Sequence, residues 1–160
     1  MSLTAASILD SGTITAQAGS LSLKATKGDV TLSDGALVNA AGTRVVLGYS
    51  TEYAPGGAVK LVSQAGNVTI ARGAKVDVSA ARNPDGSLGP GYAGAVSITT
   101  SNTGTTTLQG TLDGSAKYKD TGGSFVLSTG TLVGDLPGAA SRAASPRLSI
   151  SRATLSCRRA

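Results

Sequence analysis

Two stretches of this chain are copies of one pattern, and that limits the fold more tightly than any other feature. Residues 19–41 read GSLSLKATKGDVTLSDGALVNAA and residues 57–79 read GAVKLVSQAGNVTIARGAKVDVS, a displacement of 38 positions. Gly19, Gly28, Thr31 and Gly35 meet Gly57, Gly66, Thr69 and Gly73 without a gap. A looser copy begins at Gly94 and a clipped one at Gly123. Repeats of this length build folds in which neighbouring units stack and share one core. Within each copy apolar residues alternate with polar ones, the period of a strand with one buried face. The inward positions of the first strand are Leu21 and Leu23, Val59 and Leu61, Val96 and Ile98, and Phe125 and Leu127, with Ser22, Lys60 and Ser97 pointing outward. A second strand turns Val30 and Leu32, Val68 and Ile70, and Thr106 and Leu108 inward. A third does so with Val38, Val76 and Leu112. Gly28, Gly66 and Gly104 separate the first two strands, and Gly35, Gly73 and Gly110 the last two, where glycine permits a sharp change of direction.

Three short strands per coil with glycine corners predict an all-β chain, a parallel β-helix (solenoid) of about three strands per coil over residues 1–137. The repeat is longer than a minimal coil, and the excess falls at 42–56 and 80–93. The first excess contains RVVLG, which reads as an additional strand or coil segment. The second, ARNPDGSLGPGYAG, reads as a turn-rich loop. SGTIT at 11–15 matches the third strand of a preceding partial coil. An antiparallel sandwich would need hairpin turns throughout and leaves the gapless match unexplained. The pattern stops near Gly138, and residues 138–160, rich in Ala, Ser and Arg without an acidic residue, read as an irregular, disordered tail.

Composition narrows the chemistry. All nine acidic residues and nine of the fourteen basic ones precede residue 138, so the body is neutral. The excess lies on Arg142, Arg147, Arg152, Arg158 and Arg159. Scattered, balanced charge offers no footprint for nucleic acid. No apolar run is long enough to span a membrane. No signal peptide is visible at the start, which reads as a segment of a longer precursor. Histidine is absent, which removes the commonest general base and metal ligand. Cys157, the single cysteine, lies in the tail without a partner base.

Four tyrosines precede first strands: Tyr49 and Tyr53 before Gly56 and Gly57, Tyr92 before Gly94, and Tyr118 before Gly122 and Gly123. Stacking would put them on one edge, where an apolar ring with a polar tip suits a sugar or a protein partner; the same rings could merely cover the coil edge. Asn39, Asp77 and Asp113 share one outward column, yet Lys75 lies on the face of Asp77, so a solvated face is expected there rather than a calcium site. Asn67-Val68-Thr69 matches a glycosylation sequon but belongs to the fold repeat. Polysaccharide lyases and hydrolases, the rival class, need paired carboxylates or a carboxylate cluster with a basic residue. Here the acids stand singly in sequence, so no catalytic residue, metal or cofactor is expected.

The run GALVNAAGTRVVLGYSTEYAPGGAVKLVSQAGNVTIARGAKVDVSAA, residues 35–81, resembles the β-helical shafts of filamentous haemagglutinin-type large exoproteins. It carries their repeated G-x-V-x-L…G-N/D-V-T-I/L…G-A-x-V-D/N pattern, and the likeness extends over roughly residues 1–137. The resemblance implies a right-handed parallel β-helix in a secreted or surface-exposed bacterial adhesin. It also implies an outer-membrane two-partner transporter as export partner and a glycan or protein of a host or neighbouring cell as the attachment partner. A carbohydrate-active enzyme and the stalk of a contact-dependent toxin are the alternatives. No secretion-targeting or toxin domain is recognisable in the chain.

Overall fold

The computed structural model describes residues 1–134, 147–151 and 154–155. Their strands form three parallel sheets that the chain visits in rotation. The first pass is β1 (Ser2–Ala5), β2 (Ile8–Asp10) and β3 (Thr13–Thr15); the second is β4 (Ser20–Ala25), β5 (Val30–Leu32) and β6 (Leu37–Asn39). An antiparallel hairpin follows, β7 (Thr43–Leu47) with β8 (Ser50–Ala54). The third pass is β9 (Ala58–Ser63), β10 (Val68–Ile70) and β11 (Lys75–Asp77); the fourth is β12 (Ala95–Thr99), β13 (Thr105–Leu108) and β14 (Thr111–Asp113). A 3-10 turn at Lys119–Thr121 leads to β15 (Ser124–Ser128) and β16 (Thr131–Gly134), and β17 (Arg147–Ser151) and β18 (Thr154–Leu155) continue the first two sheets.

The strands pair in the register that the repeat predicts. Ser20 lies opposite Ala58, Val30 opposite Val68 and Leu37 opposite Lys75, each pair 38 positions apart. Val68 and Ile70 then meet Thr106 and Leu108. At the following corner the fourth pass is shorter, so Val76 meets Leu112 instead of a residue 38 positions on. Period-2 alternation turns one face of every strand inward. Leu21, Leu23, Val30, Leu32, Val38, Val59, Leu61, Val68, Ile70, Val76, Val96, Ile98, Phe125 and Leu127 are buried in one cluster fed by all three sheets, with Leu112 half-buried against it. Fully burying one such side chain contributes about 1.5–3 kcal/mol, so these columns hold the passes together.

Close approach explains the glycines that open each first strand. A Cβ on Gly57 would run into the carbonyl oxygen of Gly19, and one on Gly94 into that of Gly57. Gly35 and Gly73 serve a different need at the second corner, with φ of +78° and +84°; there L side chains are strained.

Four expectations are refined. SGTIT does supply a third strand, β3 against β6, but its pass is complete rather than partial. Its first strand is hard to read because Leu3, in register with buried Leu23, sits at the end of the stack and is 40% exposed. RVVLG is an additional strand, yet it pairs only with β8 and lies outside the three stacked sheets. Gly110 turns without a positive φ, because the shortened corner is closed by Gln109 and Gly110 both donating to the Ile70 carbonyl. Of the stretch set apart as a tail, Arg147–Ser151 and Thr154–Leu155 are strands; its other residues, Arg142 and Cys157 among them, lie outside the described ones.

Candidate functional site

Everything irregular among the described residues leaves the sheets at one corner, between a third strand and the next first strand. The hairpin occupies 40–57, a loop 78–94, and the segment with the 3-10 turn 114–123. Backbone bonds lash these insertions together. Gly42 N donates to Ser79 O at 2.8 Å, Gly56 N to Tyr92 O at 2.9 Å, Ala80 N to Ser115 O at 2.9 Å and Ala93 N to Thr121 O at 2.8 Å. The four tyrosines all sit on this edge but are not equivalent. Tyr53 is half-buried, its ring lies against Gly89, and its hydroxyl donates to Asn83 Oδ1 at 2.6 Å. Tyr53 therefore ties the hairpin to the loop, the covering role. Tyr49 projects fully into solvent at the hairpin turn, and Tyr92 and Tyr118 are exposed as well. Lys117 Nζ stands 5.5 Å from the Tyr118 ring centre, within reach of a cation–π contact. Sequence reasoning missed the apolar run beside Tyr49, where Val45, Val46 and Leu47 are all exposed.

Beside these insertions, the Asn39–Asp77–Asp113 column is in register as expected. Each side chain closes the turn that ends its strand. Asn39 Oδ1 accepts from Ala41 N at 3.0 Å, Asp77 Oδ1 from Ser79 N at 2.9 Å and Asp113 Oδ1 from Ser115 N at 3.1 Å. Asp and Asn favour such local bonds over continued strand. Stacking also does what the sequence does not display: it brings Asp77 and Asp113 to one lysine. Lys75 Nζ lies 2.7 Å from Asp77 Oδ2 and 3.0 Å from Asp113 Oδ2, with Arg82 at 3.7 Å from the latter.

Two carboxylates and a lysine are the raw materials of acid–base chemistry, so their proton affinities matter. Burial alone would lower the Lys75 pKa, but its bonds to Asp77 and Asp113 outweigh burial and hold it above the ordinary value. Burial alone would raise Asp113; the Ser115 hydroxyl, then Lys75, outweigh it and hold the carboxyl below the usual range. Both groups are thus kept charged near neutrality. A general acid or base needs the reverse, a pKa drawn toward the working pH. The cluster clamps the third pass to the fourth. No group of three potential metal-ligating side chains is present among the described residues.

Between the hairpin and the loop lies an open groove of about 410 Å³, a second feature that sequence reasoning missed. Asn39, Asp77 and Ser79 line its floor, Thr43 and Arg44 one wall, Arg82 and Asn83 the other, and Gln17 one end. Ser79 Oγ is buried and has no hydrogen-bond partner. No sequence signal marks the groove, because its walls come from two insertions that share no pattern.

At the first corner, Asp29 Oδ1 accepts from Asn67 N at 2.7 Å, and Asn67 Oδ1 accepts from Thr105 N at 2.8 Å. The sequon asparagine is therefore a rung between passes. The chain matches no protein-family model, no curated protein and no solved structure.

Proposed function

We propose that this chain is a shaft segment of a bacterial secreted or surface-exposed exoprotein, wound as a right-handed parallel β-helix and serving attachment to a cell or surface. The observation that carries the reading is the division of labour between sheets and corner. Equivalent strands of successive passes pair in register in three sheets, while the long insertions all leave from one edge. Connections between parallel strands of one sheet are right-handed in about 98% of cases, which favours that hand. Each pass adds about 4.8 Å along the stack, so a longer array of passes makes a stiff rod with its insertions in a row. Exposed Tyr49, Tyr92 and Tyr118 are the contacts offered to a glycan or protein of the opposing surface. An outer-membrane two-partner transporter is the export partner that this reading entails.

The test is retention of epithelial and bacterial cells on surfaces coated with the whole chain, against an albumin coat. Retention well above albumin is expected, falling several-fold for Y49A/Y92A/Y118A. No retention of either cell type overturns the attachment role. Undiminished retention by the triple variant removes the tyrosines from it.

A further inference from the structure

We infer that the groove between the hairpin and the 80–93 loop binds a carboxylate-bearing saccharide, with Arg44 and Arg82 receiving the carboxylate and Asn39 and Gln17 the ring hydroxyls. The inference rests on the attachment reading and names the ligand class for a site the exposed tyrosines do not line. Three observations carry it.

The groove is built. Tyr53 and Asn83 lock its two walls together at 2.6 Å, and Gly42 N to Ser79 O closes its base at 2.8 Å. Its volume of about 410 Å³ falls in the range of small-molecule sites, about 300–1,000 Å³. A preformed site avoids the ordering cost of binding.

The groove is rich in unused donors. Its one acid, Asp77, is already occupied, Oδ1 by Ser79 N and Oδ2 by Lys75. Asn83 is occupied too, by Tyr53 and Ser87. Asn39 uses only its Oδ1, toward Ala41, which leaves its amide N–H groups available. Arg44 makes a single long bond, 3.4 Å to Thr51 Oγ1. Arg82 gives one N–H to Gly86 O at 3.1 Å, stands 3.7 Å from Asp113 Oδ2 through its other terminal nitrogen, and keeps further N–H groups. A ligand fitting this set brings acceptors and negative charge, and guanidinium groups match a carboxylate geometrically.

The groove has no apolar anchor. Its carbon surface comes from Ala41, Gly42, Ala80 and Pro84, with no large apolar or aromatic side chain. Peptide recognition relies on apolar pockets or on strand addition. A hydroxyl-rich ring needs neither.

The test is calorimetry on the whole chain with trigalacturonate as probe and galactotriose as its neutral counterpart. Binding of the uronide, weakened at least tenfold by R44Q and by R82Q and falling with salt, is the expected result. R44Q is the cleaner variant because the Arg44 side chain gives up only its long hydrogen bond to Thr51, and a thermal melt checks that each variant is folded. No uronide binding, equal binding of galactotriose, or undiminished binding by R44Q/R82Q overturns the inference. So does equal affinity for inorganic sulfate or for an acidic peptide, which would make the groove an anion site without sugar selectivity. Cell retention measured in parallel separates the two claims: retention without uronide binding sinks the groove alone, and absence of both sinks the attachment reading with it.

Discussion

Between first and second strands the chain turns at 26–29, 64–67 and 100–104, much the same each time; between a third strand and the next first strand it takes 40–57, 78–94 and 114–123. The first corner points its turn residues at the core and at the neighbouring passes. Ser63 Oγ donates to Gly28 O at 2.8 Å; further along the same column Thr100 and Thr129 share a buried hydroxyl bond, Thr106 of β13 bonds Thr129, and Thr129 reaches Gly104 O. Any insertion there would break ladder bonds and orphan buried polar groups, each a cost of about 1–3 kcal/mol. The third corner points outward. Its insertions lengthen without touching the core, and the hairpin exposes Val45, Val46 and Leu47. Regularity is enforced where main-chain groups are buried, and novelty accumulates where they are not.

Substitutions can break or sharpen this contrast. The largest effect belongs to the core: Leu61→Ala, at a fully buried position, should lose about 2–5 kcal/mol in denaturant unfolding. A loss under 1 kcal/mol would mean that the passes are not held by their apolar columns. Next comes the buried hydroxyl knot. Thr129→Val keeps the shape but removes bonds to Gly104 O, Thr100 and Thr106, and about 1–3 kcal/mol should follow. Unchanged stability would show that the first corner tolerates an unsatisfied interior.

The clamp between passes should matter less. Lys75→Met leaves Asp77 and Asp113 facing each other, at about 1 kcal/mol for a partly exposed pair. Its pH signature is more telling. The folded pKa of Asp113 is lowered, so its contribution is complete above the ordinary aspartate value, about 3.9, and is lost as pH falls through the lower, folded value. The melting temperature should therefore drop on acidification below about pH 4, and the drop should be shallower in Lys75→Met. An identical acid limb in both proteins would remove the clamp from the account. Smallest of all, Val46→Ser on the hairpin should change stability by no more than about 0.5 kcal/mol. A large loss would mean that the hairpin is packed rather than free.

Sheet membership and facing were legible because period-2 alternation recurred at a fixed displacement. Val30 and Val68, or Leu23 and Leu61, could be paired from the text alone. The fourth pass was harder, since its corner at Gln109 and Gly110 is shorter and the offset changes between β13 and β14. The first pass was hardest, because residues at the end of a stack lack the burial that makes alternation visible. In the 138–160 stretch the alternation Leu148-Ser149-Ile150 has the same period as Phe125-Val126-Leu127, and the strand β17 pairs there. Composition overshadowed it.

For the candidate site, the sequence located the edge but not its contents. Four tyrosines before first strands predicted a common edge, and one lies there as a tie between insertions while three stand free. Two carboxylates that look solitary in sequence share Lys75, because stacking places residues 36 apart side by side. A spacing rule can find neighbours within a repeat, where the backbone dictates distance. It cannot find that Arg44 on a hairpin and Arg82 on a loop line one groove, where each insertion's length and turn chemistry set the geometry. For the second to fourth passes the sequence alone determined the stacked strands, their inward faces and their register, because those follow from local alternation and glycine spacing. Only the tertiary structure decided the groove and the role of Tyr53, because each depends on how far two irregular insertions reach across the stack before they meet; the Lys75 clamp instead follows from the stacked register of β11 and β14.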